Sequence, residues 1–164
     1  MKIPKIQYVL LLCSLIICVI SCQNEEIISP IPEIKFLGMS KDTMVQSFFN
    51  DDTLQIALSF VDGDGDIGNV QNSAIATIFI VDLRTGELYD RFAIPAIPSN
   101  DKALKGEMYI RLFTTCCVFP DNIPPCEVSA DHPTNELELE ISLLDRARHR
   151  SNIIKTPIIT LLCN

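Results

Sequence analysis

Apolar and polar residues alternate along much of this chain, which is the pattern of β-strands that bury one face. Within residues 53–60, Leu54, Ile56, Leu58 and Phe60 alternate with polar or small residues. Within residues 136–143, leucine and isoleucine alternate with glutamate and serine. No segment shows a convincing helical stripe, so the pattern predicts an all-β chain.

The alternation predicts seven short strands, separated by prolines and other turn-forming residues. They cover residues 33–39, 53–61, 74–82, 87–94, 106–115, 136–144 and 153–162. Seven short antiparallel strands in a chain of this length predict one immunoglobulin-like β-sandwich domain over residues 34–164. The chain has no Trp, so the Cys–Trp–Cys core of true immunoglobulin domains is missing and the prediction rests on strand number and spacing.

The first residues follow a different pattern: two lysines, an apolar run, a small residue and then a cysteine. This order predicts a lipoprotein signal peptide over residues 1–21. The apolar run of residues 8–20 is shorter than the roughly 20 residues that a spanning helix needs. Cys22 follows the predicted cut, so we expect it to be lipidated. Cys13 and Cys18 are weaker candidates because large residues precede them.

Residues 22–33 are predicted to be the lipidated cysteine and a flexible tether that contains Pro30 and Pro32. Residues 23–26, Gln-Asn-Glu-Glu, resemble the acidic export signal of surface lipoproteins in Bacteroidota-type bacteria. The resemblance implies a lipid anchor in the outer membrane and exposure at the cell surface. The alternative is that these acids only solvate a linker.

The charge of the chain narrows the partners that we expect. Removing the two lysines of the signal from 13 basic residues leaves 11, against 21 acidic residues, so the formal charge of the mature chain is −10. An acidic chain is repelled by nucleic acid and by anionic membrane surfaces. It suits an exported domain or a domain that binds cations, and its only expected membrane contact is through the lipid.

The loop after the second predicted strand has three aspartates at alternate positions, Asp62, Asp64 and Asp66, with glycines between them. Glycines let the backbone curl so that alternate carboxylates converge on one hard cation, and calcium takes six to eight oxygen ligands. The loop is not an EF-hand, because its twelfth position is Ser73 and not glutamate. A calcium site would need ligands from elsewhere, and Asp145 and Asp101 are the candidates.

The predicted sandwich brings these acids together, because alternate loops meet at the same end of such a fold. The triple-aspartate loop, Asp101 and Asp145 fall at one end, whereas the later cysteines fall at the other. Two alternatives to a cation stay open: a tight turn with solvated acids, or neutralisation of the aspartates by the basic cluster of residues 146–150.

Two motifs carry a wider resemblance. Residues 60–68, Phe-Val-Asp-Gly-Asp-Gly-Asp-Ile-Gly, resemble the signature of uncharacterised lipoproteins of Bacteroidota-type bacteria. Those chains often carry a later Asp-Arg-Ala-Gly-Asn-x-Ser-Asn segment, and residues 145–152 here are similar. The resemblance implies an immunoglobulin-like lipoprotein with no established activity. Arg148 and His149 replace the Gly-Asn pair, so we expect this turn to be closed differently.

Four cysteines remain beyond Cys22, and an even number in an exported domain predicts two disulfides. Adjacent cysteines are too close to bond to each other, with Cα atoms about 3.8 Å apart. Cys116 and Cys117 should therefore bond separately to Cys126 and Cys163, in either order. A thiol metal site is the weaker alternative, because the paired C-x2-C spacing of zinc sites is missing.

Candidate catalytic groups are few. His132 and His149 are the side chains that titrate near neutral pH, and we expect both in exposed turns. The sequence therefore predicts a lipid-anchored, non-catalytic envelope lipoprotein that serves as an extracellular binding or structural module, stabilised by calcium, with a protein or glycan partner. The alternative is a calcium-dependent glycan-binding accessory protein of a nutrient-uptake system.

Overall fold

The computed structural model describes residues 28–69, 75, 77–98, 103–120 and 123–164. The predicted signal peptide, Cys22 and Asp101 lie outside this part. The described residues form the strands β1 (Glu33–Met39), β2 (Thr43–Val45), β3 (Thr53–Asp62), β4 (Ile78–Asp82), β5 (Glu87–Phe92), β6 (Leu104–Phe113), β7 (Thr134–Leu137), β8 (Leu139–Leu143), β9 (Ile154–Lys155) and β10 (Ile159–Leu162).

The first sheet is centred on β3 and has the order β1-β3-β6. Both pairings are antiparallel, and the register of β3 with β6 runs from Thr53 opposite Phe113 to Asp62 opposite Leu104. The four apolar residues of β3 that the alternation turns inward are all buried. The period-two pattern therefore fixes which face of β3 meets the core.

The second sheet has four strands in the order β5-β4-β8-β9, all antiparallel. Ile80 of β4 lies opposite Ile141 of β8, and both side chains are buried. The predicted strand over residues 74–82 is therefore observed from Ile78 onward. Residue 74 lies outside the described part of the chain.

The third sheet has the order β2-β10-β7 and contains a pairing that the sequence did not predict. β10 pairs antiparallel with β7 but parallel with β2, with Thr160 opposite Thr43. The expectation of purely antiparallel strands was wrong at this point. β2 has three residues and only Met44 is buried, so its alternation is too short to show in the sequence.

The last two predicted strands are each divided between sheets. Residues 136–144 separate into β7 and β8 at Glu138, and residues 153–162 separate into β9 and β10 at 156–158. Pro157 has no N–H to donate to a ladder, which explains the second interruption. At the crossing, the backbone N–H of Leu139 donates to the hydroxyl of Thr156, and the backbone N–H of Thr156 donates to the carbonyl of Leu139.

All three sheets contribute to one hydrophobic core, which includes Ile56, Leu112, Ile141 and Leu161. The all-β class is confirmed, and the immunoglobulin-like type stays a prediction. Within the described residues, no helix has the length and apolar composition needed to cross a membrane.

The two ends of β3 carry the two sets of residues that the sequence placed apart. Asp62 ends the strand, whereas Thr53 at its start lies opposite Phe113, shortly before Cys116. Ten extended residues place these ends about 30 Å apart. We call them the carboxylate end and the disulfide end.

Candidate metal centre

Three of the predicted ligands come together at the carboxylate end. Asp62, Asp66 and Asp145 each offer a carboxylate oxygen, and these oxygens lie within 4.8 Å of one another. Asp62 and Asp145 are buried, with relative exposures of 0% and 4%, and Asp66 is partly buried. This buried acidic cluster could hold a metal ion.

The loop that carries Asp62 and Asp66 is held in place by tight backbone contacts. Gly68 has a φ of +90°, and a Cβ added to it would lie 2.3 Å from the carbonyl oxygen of Pro95. Next to it, Ile67 is fully buried in the core. Gly65 also has a positive φ, of 69°. These residues let the chain curl back so that Asp62 and Asp66 come together while Asp64 stays exposed.

Hydrogen bonds join this loop to the turn after β8. The backbone N–H of Ala147 donates to Oδ2 of Asp66 over 2.9 Å, and the N–H of Arg146 donates to the carbonyl of Asp66 over 3.3 Å. Within the loop, the N–H of Asp66 donates to Oδ2 of Asp62 over 2.8 Å. The carboxylates are therefore positioned by backbone donors from two separate segments.

Asp145 is held by the turn that it begins. Its Oδ1 accepts the backbone N–H of His149 over 2.7 Å, and its Oδ2 lies 2.9 Å from Nδ1 of the same histidine. Arg148 adopts a φ of +72°, a region that favours the glycine found there in the resembled motif. The Asp145–His149 contacts thus close a turn that the sequence alone could not specify.

Two carboxylate oxygens in the cluster lack a hydrogen-bond partner. They are Oδ1 of Asp62 and Oδ1 of Asp66, and both atoms are buried. Burial, together with the charges of Asp64, Asp66 and Asp145, raises the pKa of Asp62 to about 6. Burial and the charge of Asp145 also raise the pKa of Asp66. A buried carboxylate oxygen without a hydrogen-bond partner is costly when the group is ionised, and a bound cation would relieve that cost.

The basic residues of the turn do not neutralise this cluster by ion pairing. Among the described residues, none of Arg146, Arg148 and Arg150 forms an ion pair with the three aspartates. Arg150 instead donates to the hydroxyl of Ser142 over 2.7 Å and lies over the ring of Phe79. The charge of Arg146 lowers the pKa of Asp66, but burial and the charge of Asp145 outweigh it, so the arginines neutralise the cluster only in part.

The other predicted site residues are not members of the cluster. Asp64 is exposed, and the group of three close carboxylates does not include it. His132 is half-buried, with its ring centre 6.1 Å from that of Phe119. His149 is not simply an exposed turn residue, because it contacts Asp145. In the sequence, the spacing of four residues between Asp145 and His149 was the feature that could have indicated this contact.

The described N-terminal segment also touches the acidic loop. The backbone N–H of Gly63 donates to the carbonyl of Ser29 over 2.8 Å. A Cβ on Gly63 would lie 2.4 Å from the carbonyl oxygen of Ile28 and 2.5 Å from that of Ser29. Gly63 is therefore needed for the close approach of this segment.

At the disulfide end, the cysteines form the two bonds that adjacency demands. Cys116 bonds to Cys126, and Cys117 bonds to Cys163. The structure thus selects one of the two pairings that the sequence left open. Cys117 and Cys163 are buried in the core, whereas Cys116 and Cys126 are half-buried.

Comparison with known proteins finds no matching family model, no matching curated protein and no matching solved structure.

Proposed function

We propose that this chain is a lipid-anchored, non-catalytic envelope protein whose β domain is a binding or structural module stabilised by calcium. The observation that carries the proposal is the pair of buried carboxylate oxygens without partners, on Asp62 and Asp66, beside Asp145. Three carboxylates supply part of the oxygen shell of calcium, and backbone carbonyls or water would supply the rest.

Several features support an exported structural module. Two disulfides suit an oxidising compartment outside the cytoplasm. The signal-like start and Cys22 would provide the lipid anchor. The His149 ring is hydrogen-bonded to Asp145, which favours a structural role for this histidine.

Calcium binding is tested by calorimetry and thermal melting of the purified protein. We expect calcium to release or absorb measurable heat and to raise the melting temperature. Asp66→Asn should weaken binding at least tenfold, because it removes one anionic ligand. Asp64→Asn is the matched control, since it removes the same charge from an exposed position in the same loop. No heat and no melting shift at millimolar calcium would refute the site.

The anchor is tested separately by growing cells with a clickable palmitate analogue. We expect Cys22→Ser to abolish the label and Cys13→Ser to retain it. Label on the Cys22→Ser protein would contradict the anchor without touching the metal proposal. A glycan array, read with and without calcium, tests the glycan-binding alternative. Binding of a polysaccharide only when calcium is present would favour that alternative over a structural module.

A further inference from the structure

A recess of about 620 Å³ lies at the disulfide end, remote from the three carboxylates. One wall is formed by the start of β5, around Leu88 and Tyr89. The other is formed by Phe113 at the end of β6 and by the segment that follows it to Phe119. The three carboxylates of the candidate metal centre do not line this recess.

The floor of the recess is fixed by a network around Arg84. Its guanidinium pairs with Asp82 over 2.6 Å and donates to Oδ1 of Asn135 over 2.7 Å and to the carbonyl of Cys116 over 3.3 Å. The amide of Asn135 in turn bonds both the N–H and the carbonyl of Val118. The two disulfides beside this network also hold the recess in shape. Binding a ligand would therefore cost little conformational entropy in the residues that line it.

Two open sheet edges meet at this recess. Among the described strands, β5 pairs only with β4, and β6 pairs only with β3. The hydroxyl of Tyr89 donates to the carbonyl of Phe113 across the gap. The edge of β1 differs, because the Asn152 amide bonds both the N–H and the carbonyl of Ile34. Unpaired edges present backbone donors and acceptors to another chain.

The lining combines apolar side chains with excess negative charge. Leu88, Phe113 and Val118 are 51%, 40% and 42% exposed. Asp82 is neutralised by Arg84, but among the described residues Glu87 and Asp90 of β5 form no ion pair. The lining therefore matches a ligand that carries both apolar and cationic side chains.

We propose that this recess binds an extended, lysine- or arginine-bearing segment of a partner protein, which adds as a strand to the free edge of β5. β5 is the better edge, because it carries Glu87 and Asp90. Two of its backbone N–H groups are bonded to nearby side chains, Glu87 to the hydroxyl of Thr85 and Arg91 to the carboxylate of Asp90, and an added strand would replace these local bonds. The tether of a second copy is a poor occupant, because Glu25 and Glu26 would meet these acids. Ser29, in the described part of the tether, also contacts the carboxylate end, away from the recess.

The proposal is tested by fluorescence anisotropy of the full protein with a labelled nonapeptide of alternating lysine and valine. The matched glutamate–valine peptide should bind at least tenfold more weakly. In an extended peptide the N–H groups of alternate residues point to the same edge. Methylating every second backbone nitrogen therefore removes the hydrogen-bond donors of one edge and leaves the side-chain charges unchanged. At least one of the two alternately methylated lysine–valine peptides should also bind tenfold more weakly.

The protein variants separate the recess from general charge attraction. Glu87→Gln with Asp90→Asn should weaken lysine–valine binding about tenfold. Glu33→Gln with Glu107→Gln removes the same charge from exposed positions nearer the carboxylate end and should leave binding unchanged. Equal loss in both double variants would overturn the proposal, and so would methylated peptides that both bind as tightly as the unmethylated peptide. A dimer of this chain in sedimentation that Glu87→Gln with Asp90→Asn abolishes would assign the recess to a second copy and would also overturn it.

Discussion

The carbonyl of Ser29 accepts a hydrogen bond from the backbone N–H of Gly63 over 2.8 Å. This contact places the beginning of the described chain on the loop that carries Asp62 and Asp66. β1 then starts beside the end of β3, with Glu33 opposite Val61. The segment that leads to the predicted anchor and the candidate metal centre are therefore parts of one local structure.

Gly63→Ala is expected to release the N-terminal segment from the loop. The added Cβ would collide with the backbone oxygens of Ile28 and Ser29, and backbone cannot move aside as a side-chain tip can. Hydrogen exchange of the peptide over residues 28–33 should become faster. Gly38→Ala is the control, because a Cβ there meets nothing within 4 Å. Unchanged exchange in the Gly63 variant would show that the contact is dispensable.

Without metal, the free energy of unfolding should depend on pH through the titration of Asp62. Its folded pKa of about 6 lies above the ordinary aspartate value of 3.8, so the folded state binds more protons than the unfolded state between these values. The contribution of Asp62 to the free energy of unfolding therefore falls as pH rises from about 4 to about 6, and then levels off.

This contribution is measured as the difference between the wild type and Asp62→Asn in urea unfolding with a chelator, from pH 4 to pH 7. Subtraction cancels the titration of the other carboxylates as far as they are independent of Asp62. The stability of the wild type relative to the variant should fall with rising pH, and calcium at pH 7 should restore it. A relative stability that rises over this range would contradict the burial of Asp62 beside other carboxylates.

Gly68→Ala should destabilise the protein more than Gly86→Ala. Both glycines have a positive φ, which costs an L-residue about 1–2 kcal/mol. At Gly68 the Cβ would also lie 2.3 Å from the carbonyl oxygen of Pro95, whereas at Gly86 it meets nothing within 4 Å. We expect a loss of about 3 kcal/mol or more for Gly68→Ala. Equal losses in urea unfolding would show that the loop yields freely.

Arg148→Gly should stabilise the fold by about 1 kcal/mol, because glycine accepts the φ of +72° without strain. Arg146→Gly removes the same charge from the same turn at a residue without a positive φ, so it should not stabilise. Thermal melting of the two variants checks this comparison. A gain in both would assign the effect to charge and not to backbone conformation.

The two disulfides should contribute unequally to stability. Cys117–Cys163 spans 46 residues and Cys116–Cys126 spans 10. Loop-closure entropy gives about 4 kcal/mol for the longer loop and about 2.7 kcal/mol for the shorter one. Replacing Cys117 and Cys163 by serine should therefore lower the urea midpoint further than replacing Cys116 and Cys126. The opposite order would show that unfolded-state entropy does not dominate.

Much of the fold follows from side-chain alternation. The alternation locates β3 to within one residue, because one face of that strand must be buried along its whole length. Because Cys116 and Cys117 are neighbours in the sequence, only two sets of disulfide bonds remain. The grouping of Asp62, Asp66 and Asp145 at one end also follows, because topology brings alternate loops together.

The crossings between sheets could not be predicted in the same way. Leu137 and Leu139 are both fully buried, so the alternation continues unchanged while the chain passes from β7 to β8. The alternation of apolar and polar residues indicates which side chains face the core, but it does not indicate which strand pairs with which. The contact between Ser29 and Gly63 is made by backbone atoms, which leave no apolar pattern.

The unequal depth of the two disulfides has a consequence for redox chemistry. A thiolate must reach a sulfur atom before it can exchange with a disulfide, so the half-buried Cys116–Cys126 bond should open before the buried Cys117–Cys163 bond. Opening the outer bond frees the segment that includes Ile123 and Pro125, both of which line the recess. A mild reductant would then loosen the recess while the core stays cross-linked, so the oxidation state of one surface bond would set how well the recess is formed.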